Sequence, residues 1–333
     1  MNCVVFGAGS WGTAIALHLA RQGQTVTLVP RRLEQALDLA SSRENRDYLP
    51  GFKFDPSLQI GLEALPALME ADLIFLACPS KGLPDLLAQI GPTVKNSSVR
   101  MVISLCKGLD QTSLKRPTEL MADALGKITV ATLSGPSNAE EVARSLPTAL
   151  VLAAATSQPA LQEVQNIISG PSLRVYTSTD VVGVEMGGTL KNVYAIGAGL
   201  CDGLQLGSNA KAAFVTRALQ EMLRLGEAVG GRSETFLGLS GVGDFVATAH
   251  GSWSRNRTLG EQLAHDGPAT LKKLQQKREA VEGHRATETI YQLAQKRKIT
   301  APILECLYQI LYQGLDPKVG VTALMTRDLK SEA

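Results

Sequence analysis

The run Cys3-Val4-Val5-Phe6-Gly7-Ala8-Gly9-Ser10-Trp11-Gly12, continued by Thr13-Ala14-Ile15-Ala16-Leu17, decides the fold. Its first four residues read as a buried strand, and the stretch from Thr13 to Gln22 reads as a helix. Between them stands Gly-x-Gly-x-x-Gly. On its own that pattern is common. Placed directly after a strand and directly before a helix, it is the turn that receives the pyrophosphate of a dinucleotide. Gly7 permits the tight turn, Gly9 keeps a side chain out of the path of the phosphates, and Gly12 lets the helix lie close to the strand. The helix N-terminus adds amide donors and positive dipole charge.

Working outward, further short apolar runs read as strands: Thr25–Val29, Leu73–Ala77, Met101–Leu105, Thr129–Leu133, Ala149–Ala153 and Arg174–Tyr176. Helical patterns separate them at Leu83–Ile90, Pro117–Ala124 and Asn138–Ser145. Alternation of this kind predicts a parallel sheet with helices on both faces. After about residue 180 the strand pattern stops and helices follow one another: Gly183–Leu204, Ala210–Val229, Asp244–Thr248, Thr258–Ala264, Thr270–Lys277, Arg285–Lys296, Pro302–Tyr312 and Val319–Thr326. The expected class is α/β: an N-terminal Rossmann-like doubly wound sheet, residues 1–180, then an all-α substrate domain, residues 181–333. The change of period without a linker predicts close packing of the two, with a cleft between them.

The chain has 333 residues and a net charge of +2. Near-neutrality argues against nucleic-acid binding, which usually needs a basic excess. The five cysteines, Cys3, Cys78, Cys106, Cys201 and Cys306, are scattered, with no C-x-x-C pair. They read as small core residues in a reducing compartment, with no disulfide framework and no metal site. The N-terminus shows no secretion signal, and no apolar run reaches the length of a membrane span. A cytoplasmic enzyme is expected.

Ligands of an open parallel sheet lie beyond the carboxyl ends of its strands. Those ends carry the glycine turn, Arg31-Arg32, Pro79-Ser80-Lys81, Lys107-Gly108 and Gly135-Pro136-Ser137. The second strand ends in two arginines where an NAD enzyme usually has an acid. Two guanidinium groups suit a 2′-phosphate and favour NADP, although Glu34 keeps NAD open and a solvated basic turn is the plain alternative. Lys107 either snorkels to solvent or faces an anion or carbonyl oxygen. Lys191 lies in a helix of small apolar residues, where a lysine near a second cation has a lowered pKa and becomes a usable base. It can also be a surface charge. Asp244 reads as an N-cap or as a site carboxylate, with Thr248 one turn on along the same face. Ser254-Arg255-Asn256-Arg257 offers a hydroxyl, a guanidinium and an amide suited to a phosphate monoester. Gly197-Ala198-Gly199 resembles a second fingerprint but sits inside a helical pattern, so packing glycines are expected.

Taken together, Gly7–Gly12, Lys107-Gly108-Leu109, Ser134–Ser137, Lys191-Asn192-Val193, Gly241–Asp244, Ser254–Arg257 and Ala280–Gly283 resemble the bacterial-type NAD(P)-dependent glycerol-3-phosphate dehydrogenases nearly end to end. The resemblance implies hydride exchange between a nicotinamide and dihydroxyacetone phosphate or sn-glycerol 3-phosphate. In this reading Ser10, Trp11, Arg31 and Arg32 hold the cofactor, and Lys107 contacts cofactor and substrate. Gly135 and Ser137 touch substrate, while Ala139 lies by the cofactor. Lys191 is the proton acceptor, and Asp244 binds substrate and orients the lysine. Ser254, Arg255 and Asn256 receive the phosphate end, and Arg255, Val281 and Glu282 reach the cofactor. Trp11 and Ser137 depart from the Tyr or Phe and the Thr common in similar enzymes, and Val29–Arg32 is more basic than in many. A homodimer feeding glycerophospholipid synthesis is implied as well, with the two lysines and the Ser-Arg-Asn loop expected to meet beside the nicotinamide.

Two rival readings remain. One is a hydroxyacid dehydrogenase with the same two-domain plan and a lysine base, preferring a carboxylate substrate. The other is a redox-sensing regulator that binds NADP without turning it over, which no tail, repeat or charge patch supports.

Overall fold

A computed structural model describes residues 1–272, 281–329 and 331–332. Residues 273–277 of the expected helix Thr270–Lys277, and Ala280 of the family motif, lie outside them. The chain divides into two units, Met1–Glu185 and Met186–Ala333, and the division falls inside the long helix Val181–Gly203.

The first unit contains ten strands: β1 (Asn2–Phe6), β2 (Thr25–Val29), β3 (Glu44–Asn45), β4 (Leu49–Lys53), β5 (Leu58–Ile60), β6 (Leu73–Leu76), β7 (Met101–Ser104), β8 (Thr129–Ser134), β9 (Thr148–Ala154) and β10 (Leu173–Ser178). Eight form one sheet in the order β10-β9-β8-β7-β6-β1-β2-β5, while β3 and β4 pair separately. The chain builds outward from β1 through β2 to β5, then returns to β6 on the other side of β1. The order therefore reverses between β1 and β6, directly above the glycine turn. Successive residues of the central strands feed two cores in turn. Cys3, Val5, Leu73, Phe75, Met101 and Ile103 enter one. Val4, Phe6, Ile74, Leu76 and Val102 enter the other. A strand with both faces covered must be apolar at every position, which is why these runs do not alternate with polar residues.

The sheet is mixed rather than wholly parallel. β9 runs antiparallel to β8, with Ala131 facing Ala154, and β10 runs parallel to β9. The connection from β8 holds only the five-residue helix Ala139–Ala143. Five helical residues rise about 7.5 Å, too little to return the chain along a six-residue strand of about 20 Å. The chain therefore re-enters the sheet from the end it left.

In the second unit the helices include, among the described residues, Gly207–Glu227, Ser233–Phe236, Asp244–His250, Arg255–Asp266, Glu282–Arg297, Pro302–Tyr312 and Pro317–Met325, with most of Val181–Gly203. Residues 186–201 of that long helix are all buried. A helix buried on every side is the centre of its bundle. Gly197 and Gly199 are packing residues. A Cβ at Gly197 would stand 2.2 Å from the Phe214 ring, and one at Gly199 would stand 1.9 Å from the Arg257 carbonyl oxygen. From the facing helix, a Cβ at Gly260 would meet the Ile196 carbonyl oxygen at 2.0 Å. Backbone rests on backbone where these helices cross. Among the described residues, no helix is long and apolar enough to cross a membrane.

Candidate active site

The glycine turn of the first unit is built as its sequence demands. Gly7 has φ +104°, and a Cβ there would stand 2.7 Å from the Ala77 carbonyl oxygen. A Cβ at Gly12 would lie 1.9 Å from the Gly7 carbonyl oxygen, so the helix Ser10–Arg21 packs directly on the turn. At Gly9 a Cβ would meet nothing within 4 Å. The middle glycine thus faces open space, where a phosphate needs to approach the backbone. Asn45, passed over in the sequence, braces this turn: its buried amide donates to the Ala8 carbonyl at 2.9 Å and to Thr13 Oγ1 at 2.8 Å. Gln35 Nε2 donates to the same carbonyl at 3.0 Å. Nothing in the local pattern marks either residue, because the contacts join a strand and a helix to a turn distant along the chain. Ser10 Oγ donates to the Tyr48 carbonyl at 2.6 Å. The Trp11 indole Nε1 is buried without a hydrogen-bond partner among the described residues.

A cleft of about 660 Å³ opens at the switch point, with Gly7, Arg31, Leu33, Leu62, Leu65 and Pro79 among its walls. Leucines suit the faces of a purine ring, and the Arg31 guanidinium stands ready for an anion. Arg32 is exposed and lies off the lining of the cleft, at the N-cap of helix Leu33–Ser42. The open Gly9, the helix end and this cleft fit a dinucleotide.

At the ends of β7 and β8, Lys107 Nζ donates to the Gly135 carbonyl at 3.1 Å and reaches Ser137 Oγ at 3.5 Å. Ser137 Oγ donates to the same carbonyl at 2.9 Å. Gly135 has φ +137°, so the turn that presents its carbonyl depends on glycine. Lys107 is half-buried and turned toward β8. Ala139 opens the next helix, whose N-cap Asn138 accepts from the Glu141 amide at 3.0 Å.

The second unit holds a buried ionic cluster. Lys191 Nζ lies 3.0 Å from Asp244 Oδ1 and donates to Thr248 Oγ1 at 2.8 Å. Thr248 Oγ1 donates in turn to the Asp244 carbonyl at 2.7 Å. Lys191 is 6% exposed, Asp244 and Thr248 1% each. A buried ammonium needs such compensation, because removing it from water costs several kcal/mol. Lys191 therefore has a carboxylate as its close neighbour within this unit. The approach is made possible by Gly187, one turn before: a Cβ there would stand 2.6 Å from the Ser240 carbonyl oxygen. Ser240 belongs to the π-helical turn Leu239–Gly243, which leads into Asp244. Asp244 thus opens its helix without capping it by side chain.

Beside the lysine, Asn192 and Asn256 interlock. Asn256 Nδ2 donates to Asn192 Oδ1 at 2.8 Å and its Oδ1 accepts from the Gly283 amide at 2.8 Å. Asn192 Nδ2 donates to Glu282 Oε2 at 3.3 Å. Three motifs far apart in sequence meet here, with Val281 buried at the N-cap of helix Glu282–Arg297. Ser254 caps helix Arg255–Asp266 by accepting from the Arg257 amide at 3.2 Å. Arg255, the first residue of that helix, is exposed. Arg257 is held by Asp202 and Glu261, both at 2.7 Å.

The sheet order and the glycine turn make the first unit a dinucleotide-binding domain. Two family models extend this. The N-terminus of the NAD-dependent glycerol-3-phosphate dehydrogenases matches residues 2–160 and their C-terminus matches residues 180–322. The chain is 43% identical over 334 residues to the glycerol-3-phosphate dehydrogenase [NAD(P)+] of Thermus thermophilus, covering 100% of each. It is 40% identical to that of Desulfitobacterium hafniense, covering 98% of this chain and 92% of the relative. A crystal structure of glycerol-3-phosphate dehydrogenase from Coxiella burnetii superposes with a TM-score of 0.91 at 38% identity, over 98% of each chain. The chain belongs to the NAD-dependent glycerol-3-phosphate dehydrogenase family and is an NAD(P)-linked oxidoreductase. Ketopantoate reductase from Ralstonia eutropha, at 17% identity and a TM-score of 0.61, shares the fold only.

Proposed function

We propose that this chain interconverts dihydroxyacetone phosphate and sn-glycerol 3-phosphate, with Lys191 as general acid and base and NADP(H) as the favoured dinucleotide. The observation that carries the reading is the buried Lys191–Asp244–Thr248 cluster in a chain of this family. When bound, the nicotinamide supplies or accepts the hydride at the substrate C2.

The remaining chemistry belongs to the protein. In reduction, the Lys191 ammonium gives a proton to the oxygen on C2; in oxidation, the neutral amine removes it. Asp244 and Thr248 fix the direction of Nζ, so the proton is delivered along one line. Asp244 and Thr248 also belong to the substrate's binding surface. The exposed Arg255 and the amide end of its helix, capped by Ser254, take the phosphate, with Asn256 presenting its second amide hydrogen. Lys107, Gly135 and Ser137 contact the substrate from the first unit, and Lys107 also touches the cofactor. Gly7, Gly9, Ser10, Trp11 and Gly12 carry the pyrophosphate, and Arg31 with Arg32 takes the 2′-phosphate. Ala139, Val281 and Glu282 complete the cofactor's surroundings.

A homodimer in the cytoplasm, supplying glycerol 3-phosphate for glycerophospholipid synthesis, belongs to the same reading. Light scattering on the purified protein checks the dimer. The decisive assay follows NADPH absorbance with dihydroxyacetone phosphate against 2-keto and 3-keto acids of similar size. Turnover confined to the phosphorylated ketone supports the reading; turnover of the keto acids alone sinks it.

A further inference from the structure

Cys78 and Cys106 stand side by side at the carboxyl ends of β6 and β7. The parallel register that pairs Leu76 with Ser104 leads, two residues on, to these two positions. Their sulfur atoms are 3.9 Å apart, close enough for a thiol to donate to its neighbour, and Cys106 Sγ lies 3.0 Å from the Cys78 carbonyl oxygen. Neighbouring strands lie about 4.8 Å apart, inside the Cα separation of about 4.4–6.8 Å that a disulfide accepts. Closing the gap between the sulfurs to about 2.05 Å requires the two side chains to turn toward each other.

The position of the pair gives it consequence. Cys78 lines the cleft together with Gly7 and Arg31. Its backbone nitrogen is 3.3 Å from where a Cβ on Gly7 would stand. Cys106 directly precedes Lys107. A bond between the sulfurs ties the floor of the glycine turn to the lysine's loop.

The other three cysteines differ in kind. Burial pushes the thiols of Cys3, Cys201 and Cys306 up, to about 12, 11 and 11. The hydrogen bond with Cys106 holds the Cys78 thiol below its ordinary value, and the Arg31 charge helps, against desolvation. A thiolate on Cys78 is the nucleophile such chemistry needs.

We propose that Cys78 and Cys106 form a redox-sensitive dithiol whose disulfide weakens dinucleotide binding in the cleft. The oxidant is a hydroperoxide. The Cys78 thiolate attacks the peroxide oxygen, the O–O bond breaks, and hydroxide leaves to become water, giving a sulfenic acid. Cys106 then attacks that sulfur, the S–O bond breaks, and the departing hydroxide takes the Cys106 proton as a second water. Two thiols and one hydrogen peroxide yield one disulfide and two waters. A small dithiol reverses the change by exchange.

The effect on binding rests on the cleft being the dinucleotide site, so the test separates the two. Full-length reduced protein is treated with stoichiometric hydrogen peroxide, quenched with catalase, alkylated and mapped by mass. The expected map contains one peptide pair joining Cys78 to Cys106, lost on adding dithiothreitol. NADPH titration is expected to show a Kd raised by about tenfold or more and restored by the reductant. Cys106→Ala, or Cys106→Ser if the alanine variant folds poorly, is expected to give no cross-link and a dimedone adduct on Cys78. The proposal is overturned if both thiols stay alkylatable after peroxide, or if the cross-linked protein binds NADPH as the reduced protein does. Failure of the cleft reading shows otherwise: reduced protein does not bind NADPH, whatever the peptide map contains.

Discussion

Lys191 holds its ammonium 3.0 Å from Asp244 Oδ1, and both side chains are withdrawn from solvent. A buried pair is costly to assemble and costlier to break, because the survivor keeps its charge without compensation. Asp244→Ala is expected to lower stability by about 3 kcal/mol. The double variant with Lys191→Met should recover part of that loss. Urea unfolding of the four proteins in the cycle measures the coupling, and additive losses would dissolve the pair as an energetic unit.

Lys191→Met on its own isolates the chemistry. Turnover should fall by about 10²–10⁴-fold, the usual contribution of a positioned acid or base. The NADPH Kd should hold, since the residue is assigned to the substrate oxygen. Turnover close to that of the unaltered enzyme would remove the lysine from the mechanism.

The glycine turn separates folding from binding. Gly12→Ala drives a methyl into the Gly7 carbonyl and should cost roughly 2–3 kcal/mol of stability. Gly9→Ala meets no neighbour and should leave the thermal midpoint unchanged, while NADPH affinity falls about tenfold or more. Calorimetry paired with fluorescence titration reads both. A Gly9→Ala protein that unfolds early but binds normally contradicts the assignment.

Changing Arg31 and Arg32 together to serine tests the 2′-phosphate reading. Loss of charged hydrogen bonds worth about 1.5–3 kcal/mol raises the KM for NADPH by about 10- to 100-fold. The KM for NADH should move little. Arg31→Ser should account for most of the effect, because Arg31 lines the cleft and Arg32 does not.

A pH effect follows from His18, whose ring N–H lies 2.7 Å from the Ile168 carbonyl in the core. Desolvation holds its pKa below 6.5, with the Arg21 charge adding to it and the Ile168 hydrogen bond opposing. The unfolded chain therefore takes up the proton first as pH falls. The stability linked to this group is complete above about pH 6.5 and is lost as pH falls below that value, through the folded pKa. Between pH 7.5 and 5.5 the thermal midpoint of His18→Gln should decline less than that of the unaltered protein.

Much of this was legible in the residues. Strands β1, β6 and β7 announce themselves as near-continuous apolar runs because both their faces are covered, while β2 and β8 are read from β-branched residues with threonines among them. The glycine turn reads the same in sequence and in space. The helix Leu33–Ser42 was not legible: only Ala36 and Leu39 are buried, while Leu33 and Leu37 face outward and blur the period. The reversal of β9 was missed because strand direction is set by connection length, which periodicity does not encode. In the site, residue types pointed to Lys107, Lys191 and Asp244. The bracing by Asn45 and the interlock of Asn192 with Asn256 were invisible, since each joins segments distant along the chain. The nearness of Cys78 to Cys106 was hidden likewise, because it arises from strand register and their spacing in sequence says nothing of it.

The crossing of Val181–Gly203 with Arg255–Asp266 fixes a ruler. With glycine at both faces of the contact, no side chain there can be trimmed or enlarged to shift one helix by a fraction of a turn. The separation between Lys191 and the helix end proposed to receive the phosphate is thus held to main-chain tolerance. Selection for a longer or shorter substrate has to act on the surrounding loops, because this gauge accepts no intermediate settings.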